Sequence, residues 1–371
     1  MNKIFIVHYQ PLELYPPIQN LIRVFEKASL ENQFYILTTN GSYKELDLFK
    51  TDNKNINIIR LSDSVRKMDS LRRGKNYLKF YAGSLLFLLK KWPNKILYFE
   101  TLSSFAPYLY KRFFNKKCLI YIHYHEYTSK VEYEKGMMLT KLFHIYEKYL
   151  YPNVEWLSHT NTYRMQLFKN DIFPTKISSE KILANYPPKS WFSQPLLINK
   201  FPLKIVYVGS LSMDTMYTQK FAEWVQTQNG KVIWDIYSYN CTEEAKAYFK
   251  NLNASNIIFY SGINYNELPS ILRNYDVGVI LYIGHCENHI YSAPNKLFEY
   301  LTCGLDAWYP NVLNGCFQYD SENTIPSIIR LDFNDLANYE LNKINKIKKI
   351  GYNLSFVAEE ECAEIVKCIL S

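Results

Sequence analysis

Short apolar runs alternate with amphipathic segments through the first 160 residues. Six of the runs have β character, namely KIFIVHY, QFYILTT, INIIRL, KILYFE, CLIYIHYH and VEWLSHT. Helical segments such as Pro17 to Glu26 and Tyr77 to Lys91 stand between them. This alternation is typical of right-handed βαβ units, so it predicts a doubly wound α/β domain built on a parallel sheet.

The alternation stops after Thr175 and starts again at Lys204. The intervening stretch contains four prolines, which disfavour both helix and central strand: Pro187, Pro188, Pro195 and Pro202. Beyond it, the runs LKIVYVGSL, KVIWDIYS, NIIFYSG and DVGVILY alternate with helical segments. The pattern predicts two Rossmann-like domains, at 1–190 and 204–354, a linker at 191–203, and a C-terminal helix at 355–371 that packs back toward the first domain.

Length and composition fit this organisation. A chain of 371 residues exceeds the size of most single cores, and 48% hydrophobic with 21% charged residues argues against disorder. The seven cysteines never form CxxC, which fits a reducing compartment. The run MNKIFIVHY has neither the apolar core nor the small-residue cleavage site of a signal peptide, so we do not expect export. The apolar run YAGSLLFLL is about half the roughly 20 residues of a spanning helix. We therefore expect a cytoplasmic protein.

The net charge of +8 is unevenly distributed. Residues 1–190 hold 29 Lys and Arg against 16 Asp and Glu, whereas the rest of the chain holds 14 against 19. Two segments of the basic half, VRKMDSLRRGKNYLKFYAGSLLFLLKKW and LYKRFFNKK, mix basic with aromatic and aliphatic residues. They fit a solvated basic face, an anionic membrane surface or nucleic acid. Nucleic acid is disfavoured because the chain contains no recognised nucleic-acid module.

The most informative motif is SAPNKLFEY, which follows the strand DVGVILY after a polar loop. Ser292 is a good N-cap, Pro294 fits a first turn, and a helix start is an anion site to which Lys296 adds a full charge. Glu299 lies on the same helical face as Lys296, where its carboxylate would meet sugar hydroxyls. A ligand with phosphate at the helix start and a sugar such as ribose against Glu299 would be a nucleotide. The alternative is ordinary capping with a solvated Lys296–Glu299 pair, but ligands of open α/β sheets bind at such strand ends.

Four stretches of the chain together resemble bacterial family 4 glycosyltransferases, which have the GT-B fold. They are this motif, the preceding NIIFYSGINYNELPSILRNYDVGVILY, KIVYVGSL and the hinge KILANYPP. The resemblance covers the chain, most strongly from Lys204 to Leu305. It implies two Rossmann-like domains facing each other across a cleft. It also implies hexosyl transfer from a nucleotide-sugar to a glycan or lipid-linked acceptor in surface polysaccharide synthesis, with retention and without a metal or other cofactor.

The resemblance also assigns donor-binding residues. Glu299 matches the second Glu of the family's E-x7-E motif, which holds the ribose, while Tyr291 stands where the first Glu belongs. The remaining matches surround the diphosphate and the base: Gly209, Ser210, Ile263, Asn264, Ser292, Pro294, Asn295, Lys296 and Leu297. Family members usually have Arg where this chain has Ser210, and Pro where it has Asp306. Lys296 is the expected catalytic cation, because it would stabilise the departing diphosphate.

Candidates in the first half are fewer. His123 and His125 alternate onto one face of a strand, and Glu126 ends it. The resemblance implies that His125 or Glu126 binds sugar hydroxyls or assists proton transfer, with a satisfied core histidine as the alternative. His123 is interpreted as structural. Three further residues are acceptor-side candidates: Tyr15 and Pro16 in the first strand-to-helix loop, and Asn161.

Two other observations bear on the function. His285, Cys286 and His289 lie close together, but without a second cluster they are weak evidence for a metal, and we expect none. The departures at Tyr291 and Ser210 leave two alternatives open. One is a non-catalytic GT-B partner protein, and the other is a sugar-nucleotide epimerase or hydrolase on the same fold.

Overall fold

The computed structural model describes residues 2–28, 31–41, 47–64, 68–135, 138–195, 201–322, 324–339, 341 and 356–371. It divides into two compact units. Unit 1 comprises Met1–Asn185 together with Ala358–Ser371, and unit 2 comprises Tyr186–Val357. Three features of the sequence analysis lie outside the described residues. They are the predicted domain boundary near residue 354, residues 196–200 of the predicted linker, and the basic pair Arg66 and Lys67.

Unit 1 is built on a seven-stranded parallel sheet in the order β3-β2-β1-β4-β5-β6-β7. Its strands are β1 Lys3–Val7, β2 Gln33–Asn40, β3 Ile56–Asp63, β4 Lys95–Tyr98, β5 Leu119–Tyr124, β6 Trp156–His159 and β7 Glu180–Ile182. The six strands predicted in this region are all present. The seventh, β7, lies at the edge of the sheet, and the strand order reverses between β1 and β4.

The helices of unit 1 cover this sheet. They are α1 Pro16–Ala28, α2 Ser70–Lys91, α3 Phe105–Leu109, α4 Lys130–Lys135, α5 Met138–Glu147 and α6 Thr162–Ile172. Helix α2 begins before the predicted Tyr77, because Asp69 caps it by accepting a hydrogen bond from the Arg72 amide at 2.9 Å. Two cores of buried aliphatic and aromatic side chains lie on the two faces of the sheet.

Unit 2 contains a six-stranded parallel sheet in the order β10-β9-β8-β11-β12-β13. Its strands are β8 Leu203–Val208, β9 Val232–Tyr237, β10 Ile257–Tyr260, β11 Val277–Val279, β12 Asp306–Pro310 and β13 Ile328–Leu331. This is the Rossmann order 3-2-1-4-5-6, and it reverses between β8 and β11. Ligands of open α/β sheets bind beyond the carboxyl ends of the strands at such a reversal.

The helices of unit 2 follow its strands. They are α7 Thr218–Thr227, α8 Glu243–Asn251, α9 Leu268–Leu272, α10 Glu287–Ile290 and α11 Asn295–Thr302. The last two helices of the chain, α12 Ala358–Glu361 and α13 Ala363–Leu370, belong to unit 1 and pack on α1. Ile365, Val366 and Ile369 of α13 are buried in the core of unit 1. The Lys95 ammonium donates to the Ile369 carbonyl at 2.9 Å, which holds the end of α13 against the sheet.

Candidate functional site

The start of α11 differs from the prediction in its cap. Pro294 is the N-cap, in an extended conformation (φ −65°, ψ 148°), and it provides no side-chain hydrogen bond. Ser292 was predicted to cap the helix, and this was wrong. Its hydroxyl instead donates to the His289 carbonyl at 2.8 Å, because two residues separate it from the first helical position. With a proline cap, no side-chain oxygen of the cap residue satisfies the first amides of α11, so this helix start can accept an anion.

Lys296 in the first turn of α11 lies across the glycine that follows β8. Gly209 has a φ of +126°, and a Cβ built on it would lie 2.9 Å from both Cε and Nζ of Lys296. The Lys296 ammonium donates to the Tyr282 hydroxyl at 3.3 Å. It also lies 5.7 Å from the centre of the Tyr207 ring and 5.5 Å from that of Tyr282. The structure thus brings the predicted Gly209 and Lys296 together at the strand reversal of unit 2.

The electrostatics of this site keep Lys296 charged. Burial lowers the pKa of Lys296, but Tyr282 and Glu299 together outweigh it, so the pKa of Lys296 is raised above its usual value. Burial also raises the pKa of the Glu299 carboxyl to about 7, and Lys296 opposes that rise. Lys296 stays protonated, and the neighbouring Glu299 titrates near pH 7. A cation beside such a carboxyl group suits a ligand that has both phosphate and hydroxyl groups.

The other predicted donor residues lie around these strand ends. The Ser210 hydroxyl accepts a hydrogen bond from the side-chain amide of Asn240 at 3.0 Å. Asn264, next to Ile263, is the N-cap of a short 3₁₀ helix. Tyr291 ends α10, with its amide donating to the Glu287 carbonyl at 3.0 Å. Leu297 differs in character from the rest. Its side chain is buried in the core and its amide donates to the Pro294 carbonyl at 2.9 Å, so it anchors the helix start.

Unit 1 has a pocket of about 280 Å³ where its own strand order reverses, at the carboxyl ends of β1, β4 and β5. Most of its lining side chains are acidic, hydroxyl-bearing or aromatic, and the full lining is His8, Gln10, Tyr15, Phe99, Glu100, Thr101, Leu102, Tyr124, His125, Glu126, Thr128, Tyr133 and Thr140. Carbohydrates present both apolar CH faces and hydroxyl groups, so aromatic rings beside carboxylates suit them. The structure brings the predicted Tyr15, His125 and Glu126 together here.

Glu100 also lines this pocket, although it was not among the residues predicted from the sequence. Its Oε1 accepts from the Tyr9 amide at 3.0 Å and the Ser103 hydroxyl at 3.1 Å, and it lies 3.3 Å from Nδ1 of His8. About 23% of its side chain remains exposed. Burial nevertheless raises the pKa of the Glu100 carboxyl to about 7 against the opposing effect of these hydrogen bonds. Applying the carboxyl-end rule to β4 as well as to β5 would have identified this residue.

His123 of β5 and His125, which follows the strand, lie close together, with ring centres 4.5 Å apart. His123 Nδ1 lies 2.8 Å from the Ser158 hydroxyl, in the buried core. His125 stacks on Phe99 at 5.0 Å, and its Nδ1 lies 3.1 Å from Oδ1 of Asn185. No described residue hydrogen-bonds Nε2 of His125. Burial lowers the pKa of His125 to about 4, so its ring is neutral at pH 7.

The acceptor-side candidates occupy different positions. Tyr15 places its ring 4.5 Å from that of His8 and 6.4 Å from that of His125. Pro16 is the first residue of α1, where it suits the helix start. The structure does not bring Asn161 into the pocket. Its side chain is buried and caps α6 by accepting from the Arg164 amide at 2.9 Å.

Comparisons with known proteins identify the architecture. No protein-family model matches the chain, and no curated protein matches it by sequence. Solved structures do match it over its full length. Anabaena HepE in complex with UDP and glucose superposes with a TM-score of 0.67 at 10% identity, covering 100% of both chains. Sucrose-phosphate synthase from Thermosynechococcus elongatus gives 0.64 at 14% identity, covering 100% of this chain and 95% of its own.

A third match is UDP-GlcNAc 2-epimerase from Neisseria meningitidis bound to UDP-GlcNAc, with a TM-score of 0.59, 9% identity and full coverage of both chains. Together with the two parallel-sheet units, these matches confirm the predicted GT-B fold. Membership of family 4 stays a prediction. Among the described residues, no helix combines the length and the hydropathy needed to cross a bilayer.

Proposed function

We propose that this protein is a glycosyltransferase that moves a sugar from a nucleotide-sugar donor to a glycan or lipid-linked acceptor in surface polysaccharide synthesis. One observation carries the proposal. At the strand reversal of unit 2, a charged Lys296 lies across the backbone of Gly209, at the start of a helix whose cap offers no side-chain acceptor. This combination of cation, helix start and close backbone approach suits a diphosphate.

In the proposed reaction, the oxygen of an acceptor hydroxyl bonds to the anomeric carbon of the donor sugar. The bond from that carbon to the diphosphate breaks, and its electron pair leaves on the diphosphate oxygen. Lys296 and the start of α11 stabilise the charge that develops there, in place of a metal ion. Glu299 holds the ribose hydroxyls. From the resemblance, we expect the anomeric configuration to be retained.

The pocket of unit 1 is our candidate site for the acceptor. Tyr15 and Tyr133 supply aromatic surface, and Glu100 and Glu126 supply carboxylates that accept hydrogen bonds from sugar hydroxyls. His125 is neutral at pH 7 and lines the same pocket. Following the resemblance, we propose that His125 or Glu126 binds sugar hydroxyls or accepts the proton of the acceptor hydroxyl.

We further propose that unit 1 binds the inner surface of an anionic membrane, where lipid-linked acceptors are found. Helix α2 exposes Leu71 (70%), Leu78 (71%) and Leu86 (65%) beside exposed basic residues such as Lys75 and Lys79. Exposed leucines among lysines fit a surface that inserts slightly between charged headgroups.

A thermal-shift panel tests the donor site. UDP, GDP, CDP, dTDP and their sugars are screened, beginning with UDP because two of the structural matches hold uridine nucleotides. We expect one nucleotide to stabilise the protein, by about 2.7 kcal/mol at a hundredfold excess over its Kd. The shift should disappear in Lys296→Ala and Glu299→Ala but persist in Lys220→Ala, which removes an exposed lysine of the same unit.

If no nucleotide stabilises the protein at millimolar concentration, the transferase proposal fails and a non-catalytic partner protein becomes the better interpretation. A second candidate function is sugar-nucleotide epimerisation, favoured by the full-length likeness to the 2-epimerase. Incubating the stabilising nucleotide-sugar without acceptor distinguishes the two. Conversion of the sugar under these conditions supports the epimerase, whereas a requirement for an acceptor glycan supports the transferase.

A further inference from the structure

Two imidazoles and one thiol converge in the loop between β11 and α11. The ligand atoms of His285, Cys286 and His289 all lie within 4.8 Å of one another. The rings of His285 and His289 meet edge to face, with centres 4.5 Å apart. Within the described part of the chain, no other set of three or more His, Cys, Asp or Glu residues forms such a group.

The backbone of this loop holds the three residues in place. Cys286 is the N-cap of α10, and the amides of His289 and Ile290 both donate to its carbonyl at 3.0 Å, which holds Cys286 close to the first turn that carries His289. Gly284 precedes the cluster with a φ of +69°, a conformation that favours glycine. A Cβ at Gly284 would lie 3.2 Å from the Ile290 side chain and 3.3 Å from that of Val312, so the turn is closely packed.

The sequence alone led us to expect no metal, but from this geometry we propose that His285, Cys286 and His289 bind one Zn²⁺ ion, with water in the fourth position. Thiolate and imidazole are the ligands that Zn²⁺ prefers, whereas Mg²⁺, Ca²⁺ and Mn²⁺ prefer oxygen. A tetrahedral Zn²⁺ with bonds of about 2.0–2.3 Å holds its ligand atoms roughly 3.3–3.8 Å apart. The ligand atoms lie up to 4.8 Å apart, so binding needs small side-chain rotations to reach this spacing, and the exposed His285 has the most room for them.

The ion would stabilise the loop that leads into α11. The Tyr282 ring packs on His289 at 4.8 Å, and the Ser292 hydroxyl donates to the His289 carbonyl. A metal held by His289 therefore fixes the segment between β11 and the start of α11. The inference does not depend on the proposed function. Sugar transfer as proposed above uses no metal, and this ion is assigned to the loop and not to the diphosphate.

Titration with Co²⁺ tests the inference, because Co²⁺ substitutes for Zn²⁺ and is coloured. The full chain is used reduced, free of metal and without a histidine tag. We expect a thiolate-to-Co²⁺ charge-transfer band in the near ultraviolet that saturates at one ion per chain, and Zn²⁺ should displace it while Mg²⁺ should not. Cys286→Ser should abolish the band, and His285→Ala and His289→Ala should each weaken binding by at least about tenfold.

Cys241→Ser is the matched control. Cys241 is partly exposed and lies in the same unit but outside the cluster, so its removal should leave the band unchanged. His285 is exposed, so His285→Ala should fold even where a change at a more buried ligand does not. A Co²⁺ complex without the charge-transfer band, or one whose band persists in Cys286→Ser, would overturn the assignment.

Discussion

At the scale of single residues, the backbone at Gly209 is what allows Lys296 to lie where it does. A φ of +126° is costly for any residue with a Cβ, and the added atom would also meet the lysine side chain at 2.9 Å. Gly209→Ala should therefore destabilise the protein by about 1–3 kcal/mol and weaken nucleotide binding, since Lys296 has to move. Urea denaturation and the thermal-shift panel measure the two effects.

Gly74→Ala provides the control for this change. Gly74 lies in α2 with no atom near the added Cβ and without a positive φ, so alanine should stabilise the protein by about 0.5–1 kcal/mol. A Gly209→Ala variant as stable as wild type, with its nucleotide affinity intact, would contradict the close approach of Lys296 to Gly209.

Glu100 predicts a pH dependence of stability. Its pKa rises from 4.5 to about 7 on folding, so ionisation is disfavoured in the native state. The resulting penalty is absent below pH 4.5, grows as the pH rises toward 7, and is complete above 7. Glu100→Gln removes the charge. The free energy of unfolding of this variant, relative to wild type, should therefore be about 1–3 kcal/mol higher at pH 8 than at pH 4.

Urea denaturation at the two pH values measures this difference. Glu134→Gln, at an exposed position of α4, serves as the control and should change stability by less than about 0.5 kcal/mol. If the stability difference between Glu100→Gln and wild type is the same at pH 4 and pH 8, Glu100 does not titrate in this range.

At the scale of elements, α2 carries the proposed membrane surface. Lys75→Glu with Lys79→Glu reverses two exposed charges on this helix. Each basic residue near an anionic surface contributes about 1 kcal/mol, so losing two should weaken vesicle binding about 30-fold. Co-sedimentation with phosphatidylglycerol vesicles measures this loss.

The matched control is Lys231→Glu with Lys250→Glu, which makes the same charge change on exposed positions of unit 2. It should bind vesicles like wild type. Equal binding by both double variants would argue that α2 is a solvated basic face. Retention on DNA or RNA that falls steeply with salt, and is lost in the α2 variant, would point instead to nucleic acid.

The elements also show what the sequence could predict. Buried parallel strands such as β1 and β2 contain continuous apolar runs, IFIV and FYIL, and both strands could be predicted from the sequence. Strand β7 was missed because it is a short edge strand with Glu and Lys in it, and β12 because it begins with Asp and ends with Pro. Asp306 is tolerated inside because its carboxylate accepts from the Ser327 amide at 2.6 Å, a partner distant in sequence.

The candidate site residues also divide into those with a local sequence signal and those whose grouping depends on the fold. Lys296 and Glu299 could be proposed from the residues themselves because the start of a helix has local sequence signals, whereas Gly209 was proposed from the resemblance. Glu100 ends the predicted strand KILYFE, so the carboxyl-end rule applied to that strand would have proposed it. That it shares a pocket with His8 and His125 depends on β4 lying between β1 and β5, an order that only the folded sheet establishes. The Ser292 cap was wrong because capping preference favours serine, while Pro294 fixed the helix start two residues later.

At the scale of the whole molecule, unit 1 is made from two separate parts of the chain. Residues 358–371 complete it by packing on α1, and all of unit 2 lies between these two parts in the sequence. During translation, therefore, unit 2 is entirely synthesised before unit 1 has its last helices. The apolar surface of α1 that contacts α13 therefore stays uncovered until the whole of unit 2 has been synthesised.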